Sequence, residues 1–388
     1  MSVSATSSDA RRLTDWLSTR QTEMTDFLGS LVNMDSPSIV KPEADRIAAH
    51  LAGVFAADGF EVTKYPQTET GDHFRAIWNA GAPGSAGQIL VLCHMDTVFA
   101  SGEVSRRPFR VEGDRAFGPG VFDMKHGIVQ TLYAVRALKA LGLAPKHQIT
   151  VVCNTDEEIG SLTSRPIIEA EAKKSDAVFV LEPSVPPGNI KTARKGVGRF
   201  EVRVKGRAAH AGSNPEDGVS ATDELARLVL ALHAMNDRAT GTTVNVGVIG
   251  GGTRANVVTE SAWAEVDLRA VTLAEADRVV SAILGLKAHN PKATVEITGG
   301  LNRPPMERTP AIVGLYQHAK GLAAELGFEV GETSTGGGSD GNFTAALGIP
   351  TLDGLGAVGA GAHGLSEFVY LRGLIERTAL LARLMQTV

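Results

Sequence analysis

The sequence predicts an α/β fold in which helices flank a sheet, with a smaller ferredoxin-like α+β domain inserted into it. Three observations lead there. Helical and strand-like hydrophobic periods alternate through the first half of the 388-residue chain. Three strand-like runs, at 89–93, 149–153 and 177–181, are apolar with little alternation, the mark of strands buried on both faces. Near residue 194 the texture changes to strands with one wet face, and after Pro304 and Pro305 the first texture returns.

Taken in order, the spacing predicts helices over 21–34, 42–57 and 125–142, interleaved with strands at 59–65, 73–79, 88–94, 148–154 and 177–182. Many of the 43 glycines cluster in short loops between these runs, as strand–helix connections do. Farther on, Phe200, Val202 and Val204 alternate with Glu201, Arg203 and Lys205, which predicts a half-buried strand. A helix at 218–235, strands at 243–249 and 261–269, a helix at 273–288 and a strand at 293–298 complete a β-α-β-β-α-β split unit. Helices follow at about 310–326 and 370–386. The chain is thereby divided into a larger domain of residues 1–193 and 308–388 and an inserted one of residues 194–307.

Composition narrows the function classes. The chain is 43% hydrophobic and 21% charged, with 38 basic against 43 acidic residues and a formal charge of −5, which describes a globular protein. No basic excess is available for nucleic acid. Cys93 and Cys153 both sit inside apolar runs, as buried strand residues of a chain kept reduced and not as a disulfide scaffold. The N-terminus carries Asp9, Arg11, Arg12 and Asp15 where a signal peptide needs an apolar stretch, and no run reaches the roughly 18 apolar residues of a membrane span. A cytoplasmic protein with no membrane or nucleic-acid partner is expected.

In an open α/β sheet, ligands gather at the carboxyl ends of the strands. Each buried run here leads into metal-type ligands: His94-Met95-Asp96 after the first, Asn154-Thr155-Asp156-Glu157-Glu158 after the second, Glu182-Pro183 after the third. A tight loop, Gly118-Pro119-Gly120-Val121-Phe122-Asp123-Met124-Lys125, presents Asp123 ahead of a helix, and a glycine-rich loop at 354–364 carries His363. Singly these are ordinary. A histidine after a strand is usually a capped or solvated loop residue, Asp156 to Glu158 could open a helix at a gain of about 0.3–1 kcal/mol, Asp123 could be an N-cap, and Glu182 could lie at the surface. Together they would gather several ionisable groups at strand ends by chance, each costly near a buried sheet edge unless paired or metal-bound. Two histidines with carboxylates suit Zn²⁺, or Co²⁺ or Mn²⁺ in its place. So many anionic groups suit two cations about 3.5–4 Å apart with a carboxylate between them.

The segments His94-Met95-Asp96-Thr97-Val98, 118–127, Asp156-Glu157-Glu158-Ile159-Gly160, Leu181-Glu182-Pro183, His210-Ala211-Gly212 and 336–340 follow one another in an order and at spacings that resemble the M20 family of dinuclear zinc peptidases. The texture is most similar to its glutamate carboxypeptidase (carboxypeptidase G2-like) branch, over about 25–385. The resemblance implies a zinc-peptidase-type mixed sheet with the inserted domain serving as dimerisation and lid domain of a homodimer. It implies that Asp123 bridges two metals, that His94 and Glu182 complete one site and that Glu158 and His363 complete the other. Asp96 would hold the His94 imidazole in its ligating tautomer, and the Asp123–Met124 peptide bond would be cis. Glu157 would be the general base, taking a proton from a water whose pKa two zinc ions lower toward about 7 and passing it to the leaving nitrogen, worth about 10²–10⁴ in rate. His210 would reach in from a second subunit to assist the oxyanion; taken alone it reads as a loop histidine.

Arg303, Arg269, Asn256 and Lys191 resemble the positions from which family members grip the carboxylates of the C-terminal amino acid, a task suited to the planar arginine fork. Arg269 and Lys191 also read as plain surface charges. Gly337, within 336–340, offers backbone N–H at a helix start to an anionic substrate group. No P-loop or well-placed G-x-G-x-x-G is present, which argues against nucleotide binding. His363 is followed by Gly364 where serine or alanine is common in the family, which points to a reshaped leaving-group pocket. The expected activity is metal-dependent cleavage of the amide bond of an N-acyl amino acid or small peptide, releasing a C-terminal amino acid. An aminoacylase, deacetylase or N-carbamoyl amidase would share the same ligands. A non-catalytic metal-binding assembly protein is the rival from another class, and it would have no need of Glu157.

Overall fold

The computed structural model describes residues 3–78 and 87–388, so the last position of the strand expected at 73–79 lies outside the described residues. The chain folds into two compact units. One comprises Met1–Ala193, Arg308–Ser334 and Ser339–Val388; the other comprises Arg194–Glu307 and Thr335–Gly338.

The larger unit is built on a six-stranded mixed sheet in the order Glu61–Tyr65, His73–Trp78, Gln148–Asn154, Gln88–His94, Ala177–Val180, Thr351–Leu352. The first two junctions are antiparallel and the remaining three parallel. Every residue of Gln88–His94 is buried, because both faces are covered. Leu90, Leu92, Val152, Val178 and Val180 pack on Ile168 and Ala172 of the helix Arg165–Ala172. On the opposite face Cys93 Sγ lies 3.5 Å from Thr131 Oγ1 of the helix His126–Leu141, which is buried along nearly its whole length. Cys93 and Cys153 are buried free thiols at paired positions of neighbouring strands. Register also pairs His94 with Asn154, so the segments that follow both strands leave the sheet at the same edge.

Two features of this unit lack a readable period. The helix Val3–Ser18 is largely polar, and among its residues with described side chains, from Ser8 on, the buried ones are Ala10, Leu13 and Leu17, too narrow a stripe to stand out in the sequence. A small antiparallel sheet of Arg110–Glu112, Arg115–Phe117, Phe368–Tyr370 and Gly359–Ala360 has strands of two or three residues, too short to show alternation. Among the described residues no helix is long and apolar enough to cross a membrane.

The smaller unit has an antiparallel sheet in the order Thr243–Gly251, Ser261–Ala270, Gly196–Lys205, Thr294–Arg303, with helices Ala221–His233 and Leu273–Leu284 between strands in sequence. This is the split β-α-β-β-α-β arrangement. Phe200, Val202, Val204, Ala264, Val266 and Leu268 form a core with Leu225, Leu228, Leu232, Val279 and Ile283 of the helices. Both helices start where a hydroxyl caps them: Ser220 accepts from the Asp223 N–H and Thr272 from the Glu275 N–H. Residues 335–338, which the sequence reading leaves in the larger domain, belong to the smaller unit. Their carbonyls explain it, since Gly337 and Gly338 accept from the Arg194 guanidinium and Gly336 accepts from Arg269.

Candidate metal centre

The candidate ligands of the larger unit come from five segments that meet at the carboxyl edge of its parallel strands. His94 ends its strand, and its Nδ1 is 3.0 Å from the Asp96 carbonyl oxygen and 3.4 Å from Asp96 Oδ1. Both contacts fix the same tautomer, with the proton on Nδ1 and Nε2 turned to the site. The Asp96 carboxylate has further work: it accepts the Ser38 hydroxyl at 2.6 Å, the Glu158 N–H at 3.1 Å and the Glu157 N–H at 3.3 Å. It thereby holds the start of the short 3₁₀ turn Glu157–Ile159. The far side of that turn is tied down by Asp156, whose carboxylate accepts from the Thr163 N–H and hydroxyl and the Ser164 hydroxyl at 2.6–2.8 Å.

Asp123 sits on a loop that requires glycine at Gly120. There φ is +73°, and a Cβ would lie 2.6 Å from Thr97 Cγ2. The Asp123–Met124 peptide bond is cis. Glu367 is 1% exposed and accepts the N–H groups of Gly120, Phe122 and Asp123 at 2.8–2.9 Å. Glu182 stands two residues beyond the strand Ala177–Val180. His363 has φ +62°, an uncommon conformation for a residue with a side chain. Its loop is seated by Arg107, which donates to the carbonyls of Gly364 and Leu365 at 3.3 and 2.9 Å.

The two oxygens of Asp123 face different partners. Oδ1 is 3.1 Å from His94 Nε2, which is also 3.4 Å from Glu182 Oε1. Oδ2 is 3.3 Å from His363 Nε2, which is also 3.2 Å from Glu158 Oε2. Ligand atoms on one tetrahedral zinc, each at 2.0–2.1 Å, stand about 3.3 Å apart, so these spacings suit a cation on each side of Asp123. Donor atoms of His94, Glu157 and Glu182 also lie within 4.8 Å of one another, as do those of His94, Asp123 and Glu158. The latter grouping cuts across the two sets, as expected where one carboxylate is shared. Glu158 Oε1 is buried without a hydrogen-bond partner. Two imidazoles and three carboxylates, one of them with this oxygen still unmatched, make a donor set that fits borderline divalent metals.

Electrostatics points the same way. Burial opposes charge on His94, but hydrogen bonds to Asp123, Asp96 and Glu182 outweigh it and hold the imidazole well above its ordinary pKa. Hydrogen bonds to Asp123 and Glu158 push His363 up to about 10 against partial burial. Burial pushes Glu158 up to about 7, with the Asp123 carboxylate adding to the rise and His363 opposing it. Desolvation opposes charge on the largely enclosed Asp123, yet hydrogen bonds to His363 and His94 hold it below the usual carboxylate range. The cluster draws positive charge to itself, which divalent cations would supply while displacing the imidazole protons.

Of the remaining sequence-derived candidates, Lys191 lies in the larger unit. It is nearly buried, with Nζ 3.8 Å from Asp353. The others lie in the smaller unit. His210 is exposed, and its Nδ1 accepts the N–H groups of Gly212 and Ser213 at 3.1 and 3.0 Å. The neutral ring therefore carries its proton on Nε2, as a donor facing outward. The Asn256 carbonyl accepts the Ala211 N–H. Arg269 is paired with Asp267 at 2.8 and 2.9 Å. Arg303 is buried beside Gly338, where a Cβ would stand 2.8 Å from its Cδ. Gly337 presents its carbonyl to Arg194, and its N–H is 3.4 Å from Thr335 Oγ1. Ser38 and Glu367 are residues that sequence reasoning missed; only the place of Glu367, four positions after His363, hints at it.

Comparison with known proteins adds a lineage. The sequence model of peptidase family M20/M25/M40 matches residues 90–387. Carboxypeptidase G2 of Pseudomonas sp. (strain RS-16) is 34% identical over 301 residues, covering 76% of this chain and 72% of that protein. N-acetyl-L-citrulline deacetylase of Xanthomonas campestris pv. campestris is 27% identical over 229 residues, covering 56% of this chain and 60% of that protein. In fold the chain is similar to aminopeptidase PepT of Bacillus cereus, with a TM-score of 0.74 at 21% identity, covering 94% of this chain and 98% of that one.

Proposed function

Because the chain belongs to peptidase family M20/M25/M40 and is an enzyme acting on peptide or amide bonds, we propose that it hydrolyses the amide bond of an N-acyl amino acid or small peptide and releases a free C-terminal amino acid. One observation carries this reading: Asp123 divides its two oxygens between the His94–Glu182 pair and the His363–Glu158 pair. Those five side chains would hold two divalent cations, zinc first and cobalt or manganese in its place, which supply Lewis acidity and a water acidic enough to ionise near neutral pH.

The chain's own residues do the rest. Glu157, with a carboxylate oxygen within 4.8 Å of the ligand atoms of His94 and Glu182, takes the proton of the attacking water and gives it to the departing nitrogen. Its neighbour Glu158 is held by His363 and serves as a ligand. The outward Nε2–H of His210 is a donor for the oxygen that gains charge, in a homodimer where the smaller unit of one subunit serves the other. Arg303, Arg269, Asn256, Lys191 and the Gly337 loop bind the carboxylate end of the substrate. A cytoplasmic location is part of the same reading.

The similarity to N-acetyl-L-citrulline deacetylase favours a second reading, deacetylation or another deacylation by the same residues. A panel of acyl-glutamates, other acyl-amino acids, dipeptides and N-carbamoyl amino acids, scored by released amino acid, separates the two. Acyl-glutamate turnover, abolished by chelator and restored by Zn²⁺ or Co²⁺, is the expected result. Full activity with no metal bound rejects both.

A further inference from the structure

We propose that Glu367 is a positioning residue: one buried carboxylate that locks the backbone of the loop carrying Asp123 to the segment carrying His363. The proposal rests on the dinuclear reading above. Glu367 Oε2 accepts the Gly120 N–H at 2.9 Å, and Oε1 accepts those of Phe122 and Asp123 at 2.8 and 2.9 Å. Both oxygens are thus committed to main-chain donors, so Glu367 acts through other groups and is not itself a ligand. A carboxylate buried to this degree is tolerated when several N–H groups converge on it. Three converge here, and they belong to the residues that lead into Asp123.

The segment on which Glu367 stands is equally constrained. The next residue, Phe368, pairs with Phe117 just ahead of the Asp123 loop. On the other side, Gly361 has φ +84°, and a Cβ there would lie 3.1 Å from Glu367 N and Cα. His363 is held between these two points. The segments that supply the shared ligand and the terminal histidine thus have a common anchor, and the anchor sets the distance between Asp123 and His363.

The test uses the full-length chain with E367Q and E367A. Glutamine keeps the shape but replaces one acceptor by an NH₂ group facing N–H donors. Chelator-treated parent and variants, shown to be folded by circular dichroism at 25 °C, are titrated with Zn²⁺ against a chromophoric competitor, and Co²⁺ spectra are recorded in parallel. The variants should bind the weaker equivalent of metal about 10–100-fold less tightly, with an altered Co²⁺ band. kcat should recover in saturating metal, and KM should change less than about twofold. A merely structural residue would lower the folded fraction without moving affinity or spectrum. E367Q that binds both equivalents like the parent, with the parent spectrum, overturns the proposal. A parent that binds no Zn²⁺ and stays active overturns the dinuclear reading itself, which is a separate outcome. If neither variant folds, amide exchange in the chelated parent decides. The N–H groups of Gly120, Phe122 and Asp123 should exchange at least about 100-fold more slowly than an unstructured chain, and rapid exchange there overturns the anchor.

Discussion

Asp96→Asn is the substitution whose effect can be worked through from geometry. The carboxylate accepts four donors, two at each oxygen: the Glu157 N–H and His94 Nδ1 at Oδ1, the Ser38 hydroxyl and the Glu158 N–H at Oδ2. An amide must place its NH₂ on one side. Turned toward Oδ1's partners it opposes two donors; turned toward Oδ2's it opposes only the Glu158 N–H, since the Ser38 hydroxyl can rotate and accept. The second orientation prevails. It leaves one buried N–H unmatched, at about 1–3 kcal/mol, and it moves the turn that carries Glu157. His94 keeps its tautomer, because the Asp96 carbonyl at 3.0 Å is untouched. The expected result is a kcat lowered about 10–100-fold and a folded state weakened by about 1–3 kcal/mol, with metal content near the parent value. Steady-state kinetics, urea unfolding and metal analysis on the same preparation measure all three. Metal lost in step with activity would refute this reasoning, since it would mean that the carboxylate and not the carbonyl holds His94.

Glu157→Gln should retain its metal and lose about 10²–10⁴ in kcat; loss of metal by elemental analysis would exchange the roles of Glu157 and Glu158. Mixing inactive His210→Ala and Glu157→Gln subunits should restore partial activity if His210 serves the neighbouring site, and no recovery would count against it. Burial, opposed by the Gln130 hydrogen bond and assisted by Arg377, pushes His126 down to about 4. A histidine lowered this way contributes stability that is complete above its unfolded value near 6.5 and is lost as pH falls through about 4, in all about 3 kcal/mol. Denaturant midpoints for parent and His126→Leu, compared at pH 7 and 4.5, should show a smaller acid loss in the variant.

What the sequence disclosed follows from where the chemistry sits. His94, Glu157, Glu158 and Glu182 each follow an apolar run, so the sheet edge that unites them was legible before any coordinates. Asp123 and His363 follow only the short strands Arg115–Phe117 and Gly359–Ala360, which form no apolar run, and are reached through glycine-rich loops and family resemblance. Glu367 was out of reach, because a carboxylate bound to backbone N–H groups leaves no pattern in side-chain identity. The helix Val3–Ser18 was hidden by its polar faces. The assignment of 335–338 depends on carbonyls meeting Arg194 and Arg269, far away in sequence.

The larger unit is discontinuous, and this has a bearing on biosynthesis. Its proposed ligands run from His94 to His363, with the whole of the smaller unit encoded between them. At ribosomal speeds of about 5–20 residues per second, the first ligand is translated on the order of tens of seconds before the last. The intervening unit can finish folding within that delay, while the half-built sheet edge waits with no closing partner. With the ligand set proposed above, a complete cation site has to await the segment Ser339–Val388, which supplies His363.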